Sequence, residues 1–148
     1  PISCGTCATT CCRKGRAARL IYPVGELENR LLAEQLFKAS WQMDVYQTLR
    51  GFVDAIDPAI REEFKPTQVS YGMSRKFLWL TPLTGKLCVM NIPMYMRVAD
   101  PVFQYATQVR RDTFMHRLEV RDIEQVMVAQ QNGWLLAAYR WGTRRRPA

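Results

Sequence analysis

Four cysteines near the start, Cys4, Cys7, Cys11 and Cys12, stand in the spacing C-x2-C-x3-C-C. Four thiolates satisfy a tetrahedral zinc in number. Structural zinc sites more often use two separated pairs, because the chain between the pairs builds the fold around the ion. Here all four lie within nine residues, so one ion would be wrapped by one tight loop. Disulfides and free thiols are the competing uses of the same residues, and all three stay open. No cofactor other than this zinc is expected. Cys88 lies inside an apolar run and reads as a small core residue. His116 is the sole histidine, and its strand parity groups it with Phe114 and Leu118 on a buried face. A Cys88–His116 nucleophile and base would require their strands to be neighbours. Glu62 and Glu63 read as solvated carboxylates near a helix end. Phosphate-binding loops, dinucleotide fingerprints, nucleophile elbows and paired zinc-protease histidines are all absent from the sequence. The expectation is a non-enzyme with no evident small-molecule substrate.

Charge is the second candidate for chemistry. The chain of 148 residues carries a formal net charge of +8, unevenly placed. Arg13, Lys14, Arg16 and Arg19 lie before residue 26 with no acid among them, and Arg140, Arg144, Arg145 and Arg146 end the chain in the same way. Between these ends, bases and acids balance. A neutral domain with two basic ends suits contact with RNA phosphates, anionic lipid headgroups or acidic protein surfaces, against a plain solubilising role. Large apolar groups are numerous for a small core. Trp79 fits the core, whereas Met94, Tyr95, Met96 and Trp141 have the composition of a protein interface.

The elements that must position these groups follow from periodicity. Length suits one domain, divided as a Cys-rich basic extension over 1–25, an α+β domain over 26–141 and an Arg-rich tail over 142–148. Leu27, Leu31, Leu32 and Leu36 share one helical face. Ser40 is the expected N-cap of a second helix, whose stripe is Val45, Leu49, Phe52, Val53 and Ile56, and Asp57-Pro58 ends it. Val69, Tyr71 and Met73 alternate as a strand, and Lys76–Thr81 and Leu87–Ile92 form a hairpin about Pro82–Gly85. Val102–Arg111 is expected as a short helix and Phe114–Val120 as the fourth strand. Asp122 starts a last helix with Ile123, Val126 and Met127 inward, capped or kinked at Asn132-Gly133. The predicted fold is α+β, a small, mainly antiparallel sheet of about four strands with helices packed on one face. Leu49, Phe52, Val53, Phe77, Trp79, Val89, Leu118 and Val126 are its expected shared core. No apolar run reaches the roughly 20 residues of a membrane span.

From about Val45 to Tyr139 the chain resembles a small uncharacterised bacterial domain family labelled "predicted transport protein". The likeness rests on Ser70-Tyr71-Gly72 and on Arg75-Lys76-Phe77-Leu78-Trp79-Leu80 leading through Gly85 to Leu87. It continues in Asp100-Pro101, His116 before Arg117-Leu118-Glu119-Val120, Asp122-Ile123, and Leu135, Ala137, Ala138 and Tyr139. Thr113-Phe114-Met115 stands where family members usually have glycines. The resemblance implies the fold and no activity. The functional expectation is a non-catalytic subunit of a larger protein or ribonucleoprotein assembly, using basic ends and exposed aromatics. A nucleic-acid-binding module and an enzyme of unknown chemistry are the alternatives. The Pro at position 1 reads as a removed Met or a cleaved leader, and with the Arg-rich ends it suggests a mitochondrial location, otherwise a soluble intracellular one.

Overall fold

The computed structural model describes residues 24–145, with side chains from residue 28 onward. The chain divides between Arg30 and Leu31 into two units, and the fold that follows is that of the second. Two helices, α1 (Val24–Leu36) and α2 (Ser40–Ile56), precede six strands: β1 (Arg61–Lys65), β2 (Gln68–Gly72), β3 (Lys76–Thr84), β4 (Leu87–Met94), β5 (Phe103–Arg110) and β6 (Thr113–Val120). Helices α3 (Ile123–Gln131) and α4 (Trp134–Gly142) follow. The strands form one sheet, wholly antiparallel, in the order β1-β2-β3-β4-β6-β5.

Two neighbouring cross-strand rows explain the layering. Phe64, Val69, Leu80, Met90, Leu118 and Phe103 are paired in succession across all six strands. The four between Val69 and Leu118 are fully buried. One residue away along each inner strand, Glu63, Ser70, Trp79, Asn91, Arg117 and Tyr105 form a second row. Side chains alternate across a pleated sheet, so the first row faces the helices and the second faces away. Tyr46 of α2 packs on Phe64, and Trp134 of α4 packs on Phe103, their ring centroids 5.8 and 4.5 Å apart. The fold class is as expected, α+β with helices on one face, although the sheet has six strands.

Both extra strands are edges. Arg61–Lys65 has only Phe64 as an apolar residue, and charged side chains are how edge strands avoid pairing with other chains. Phe103–Arg110 is a strand where a helix was expected. Its alternation was masked because Phe103 alone among its residues is buried. The pairing partner β6 overrides the weak local signal.

Other boundaries shift for local reasons. Ala39, not Ser40, is the N-cap of α2. The Gln42 side chain accepts a hydrogen bond from the Ala39 N–H at 3.3 Å and donates to the Thr84 carbonyl at 2.8 Å, doing the work assigned to Ser40. Trp41 Nε1 donates to the Gly85 carbonyl, so the start of α2 holds the β3–β4 turn. The turn itself is tighter than expected, because β3 continues to Thr84. Asp122 caps α3 as expected, accepting from the Glu124 N–H, while Gln125 accepts from the Asp122 N–H. At Gly133 the backbone turns left-handed, with φ +77°, and separates α3 from α4.

The core corrects several side-chain assignments. Leu31, Ile123 and Met127 are exposed, whereas Ala33 of α1, Phe37 just after it, and Val126 and Ala129 of α3 are buried. Phe52 is only half-buried. Trp79 and Val89 lie on the helix-free face, Val89 opposite Thr81 and Glu119, so neither joins the helix-side core. Phe77 joins it through an irregularity. Tyr71 pairs with Leu78 and Gly72 with Lys76, which leaves Phe77 as the extra residue of a β-bulge. Adjacent Phe77 and Leu78 are therefore both fully buried, and Phe77 meets the Tyr139 ring edge-on.

Candidate binding surface

Glu62 and Glu63 are adjacent, so pleating sends them to opposite faces. Glu62 is not solvated: its side chain is 8% exposed. Tyr46 and Tyr71 both donate to its Oε2, at 2.9 and 2.8 Å, and Arg50 lies 3.6 Å from Oε1. Burial, then the neighbouring carboxylate, pushes both tyrosine hydroxyls above their ordinary range. This network joins α2 to β1 and β2 beneath the sheet edge. It is a satisfied buried carboxylate, and its chemistry is spent on the fold.

His116 is similarly occupied. Its Nδ1–H donates to the Ile92 carbonyl at 3.0 Å, and Nε2 accepts from the Val98 N–H at 2.9 Å. Burial holds its pKa below the ordinary value, and the ring stays neutral as a brace for the segment after β4. The strands of Cys88 and His116 are neighbours, yet the two are not a pair. Cys88 stands opposite Val120 and His116 opposite Ile92, four positions and roughly 13 Å along the ladder. Burial also raises the Cys88 thiol to about 11, as expected of a core cysteine.

The end of the sheet where α2 and α4 finish is built around Arg75. Its N–H donates to the Gly142 carbonyl and its Nε to the Trp141 carbonyl, at 3.1 and 2.9 Å. The guanidinium carbon sits 3.6 Å from the Trp141 ring centroid, and Nη2 lies 3.5 Å from Asp112. One residue thereby bonds two carbonyls of a helix end, Gly142 through its backbone and Trp141 through its side chain, while the guanidinium complements the helix dipole and ties that end to the β5–β6 turn. Trp141 is consequently buried, 5% exposed, with its Nε1 donating to Thr113. The expectation of an interface tryptophan is overturned. Met94 is buried as well, Tyr95 is half-buried within reach of Arg75, and Met96 alone of that group is well exposed, at 67%.

The Arg-rich end of the chain begins as a helix cap. Arg145 N–H donates to the Arg140 carbonyl and Arg144 N–H to the Trp141 carbonyl, the two bonds of a Schellman motif. Its left-handed residue is Arg144, φ +60°, where glycine is the usual choice. Arg144 and Arg145 are exposed, and Arg146 lies outside the described residues. So do Arg13, Lys14, Arg16, Arg19 and the four cysteines Cys4, Cys7, Cys11 and Cys12. Among the described residues no His, Cys, Asp and Glu cluster could hold a metal ion.

Four further bases collect at the same end: Arg110 at the end of β5, Arg111 in the turn beside Asp112, Arg61 at the start of β1, and Lys76 at the start of β3. Next to Arg61 and Lys76 the helix-free face carries a cleft of about 430 Å³, lined by residues 61–63, Ser70 and 72–76. Sequence reasoning passed over Ser70 and Arg61. A signal was present, since Ser70 is the polar residue between buried Val69 and Tyr71, but only strand pairing shows what surrounds it.

With a single antiparallel sheet among the described residues, helices on one face and a cleft at one end of the sheet, this is an α+β domain. Residues 33–142, about three quarters of the chain, match the family described as a domain of unknown function, DUF5655, and the chain belongs to that family. No curated protein and no solved structure matches it. Among the described residues, no helix is long and apolar enough to cross a membrane.

Proposed function

We propose that this protein is a non-catalytic subunit that docks its basic sheet end onto a larger protein or ribonucleoprotein assembly. The supporting observation is the convergence of Arg61, Lys76, Arg110, Arg111, Arg144 and Arg145, from four separate chain segments, at one end of the domain. The bases before residue 26 and Arg146, outside the described residues, add to the charge available to such a partner. Acidic protein surfaces offer carboxylates for bidentate arginine pairing. A mitochondrial assembly is the favoured setting, and the likeness to bacterial domains labelled "predicted transport protein" fits a domain of bacterial ancestry placed there. Anionic lipid headgroups are a further partner for the same charges.

RNA is the second reading, favoured by the helix-free row. Trp79, Arg117 and Tyr105 lie in one cross-strand line with Asn91, and Tyr105 is 48% exposed. Aromatic and guanidinium groups on an open sheet are a stacking platform for unpaired bases. Native purification of the tagged full chain, followed by mass spectrometry and nucleic-acid staining, separates the readings. A stoichiometric set of proteins that resists nuclease supports docking on protein. Co-purifying RNA, with affinity that falls steeply as salt rises, supports the second. A monomer free of both would sink the docking proposal.

A further inference from the structure

The cleft on the helix-free face holds an inconsistency within the fold. Ser70 is 1% exposed, lines this cleft, and its Oγ has no hydrogen-bond partner among the described residues. A buried hydroxyl without an acceptor destabilises a strand that alanine would fill at no such cost. Directly opposite Ser70 in the β1–β2 ladder stands Glu63. Its carboxylate is held by Lys76 across the cleft and lies 3.8 Å from Lys65. The hydrogen bond and charge of Lys76 keep that carboxyl below its usual range. Arg61, two residues from Glu63 and on the same face, spends one N–H on the Met73 carbonyl at 2.6 Å and has others to offer. Gly72 forms the floor, where a Cβ would come within 3.3 Å of Lys76.

The donor set therefore comprises a guanidinium fork, an ammonium and a buried hydroxyl, all on one side of the sheet around a side-chain-free glycine. It exceeds what Glu63 can satisfy. A tetrahedral oxyanion offers acceptors in several directions at once, and the cleft has the volume of a small-ligand site.

We propose that this cleft binds a phosphate group, with Arg61 and Lys76 as charged donors, the Ser70 hydroxyl as neutral donor, and Glu63 as the carboxylate that phosphate displaces from Lys76. The proposal shares Arg61 and Lys76 with the docking reading but does not need it, because a single protein molecule takes up the anion whether or not a partner docks. Free phosphate and a small phosphomonoester present the same group.

Titration of the full-length protein with inorganic phosphate, and separately with ribose 5-phosphate, followed by calorimetry and by the amide signals of Ser70, Gly72 and Lys76, tests it. Saturable binding that moves those amides is expected. Ser70→Ala and Lys76→Gln should each weaken it by about tenfold, the worth of one hydrogen bond to a charged group. Glu63→Gln should tighten binding several-fold by removing the competing carboxylate. Arg61→Gln repeats the test from the opposite strand should one variant fail to fold. Tighter binding of the sugar phosphate identifies a phosphomonoester, and equal binding identifies the free anion. Phosphate uptake that is indifferent to all four substitutions, or that leaves the three amides unmoved, would overturn the proposal.

Discussion

Replacing Arg75 by Met separates the contacts of the guanidinium from the packing of its stem. The side chain is 12% exposed, and Met retains most of its apolar length. What is lost is the Nε bond to the Trp141 carbonyl, the stacking on the Trp141 ring, the contact with Asp112, and the charge at the C-terminus of α4. A charged donor on a carbonyl contributes about 1.5–3 kcal/mol, the cation–π contact about 0.5–2 kcal/mol, and the helix-end charge about 0.3–1 kcal/mol. These overlap, so a net loss of about 3 kcal/mol is expected, lowering Tm by about 10 °C for a domain of this size. The backbone bond from the Arg75 N–H to Gly142 survives in the variant. Arg75→Lys keeps the charge but loses the flat fork, and should lose about half as much. Urea unfolding followed by circular dichroism and tryptophan fluorescence measures both variants. A loss below about 1 kcal/mol for Arg75→Met, or a lysine variant equal to wild type, would refute the view that this side chain closes the fold.

Four other outcomes follow from the same geometry. Gly142→Ala places a Cβ 2.5 Å from Phe77 Cδ1 and should cost about 1–3 kcal/mol; pairing it with Phe77→Leu should recover part of that loss, and strict additivity would count against the contact. Arg144→Gly relieves a left-handed arginine and should stabilise by about 0.5–1 kcal/mol in thermal unfolding, whereas destabilisation would mean that the Arg144 side chain supports the cap. His116 has its folded pKa depressed by burial, so the unfolded chain binds the proton more readily: its contribution is complete above about pH 6.5 and falls as pH drops from there toward the folded value. His116→Gln should flatten that limb of the stability profile, and an unchanged slope would assign it to other groups. Ser70→Ala should raise stability by about 1 kcal/mol by deleting an unpaired buried hydroxyl, and a loss instead would show that the hydroxyl is already satisfied.

How much could be read in advance depended on where each element's partners lie. Strands β4 and β6 were legible because both sit inside the sheet and carry dense apolar sequence, with β6 buried at alternate positions. Strands β1 and β5 were not, because an edge strand is half solvated and its sequence need only avoid conflict with its single neighbour. Trp141 was misassigned for a different reason. A tryptophan beside an Arg-rich tail has the composition of an interface, and what buries it is Arg75, 66 residues earlier. Val89 was correctly read as buried, but its face is set by pairing with Thr81 and Glu119. The cleft lay furthest from view. Arg61, Ser70 and Lys76 come from three strands, and no spacing along the chain marks them as neighbours.

The basic end also has to be read against the helices that finish there. Tyr139 of α4 donates to Asp57, the C-cap of α2, at 2.6 Å, so both helices direct their carbonyl ends to the same side. Each helix C-terminus carries the equivalent of about half a negative charge, and roughly one cation's worth of the positive charge there is the counterpart of the fold itself. Arg75 supplies it, from a half-buried position and with its bonds already committed. Arg110, Arg111 and Arg144 are different: they are exposed and make no ion pair among the described residues. Arg144 even occupies a backbone conformation that glycine would adopt with less strain. Folding does not account for these cations. Mutual repulsion makes their clustering mildly unfavourable in isolation, and a polyanionic or acidic partner would reverse that sign. This surplus, more than the chain's net charge, is the feature of the domain on which the proposed docking rests.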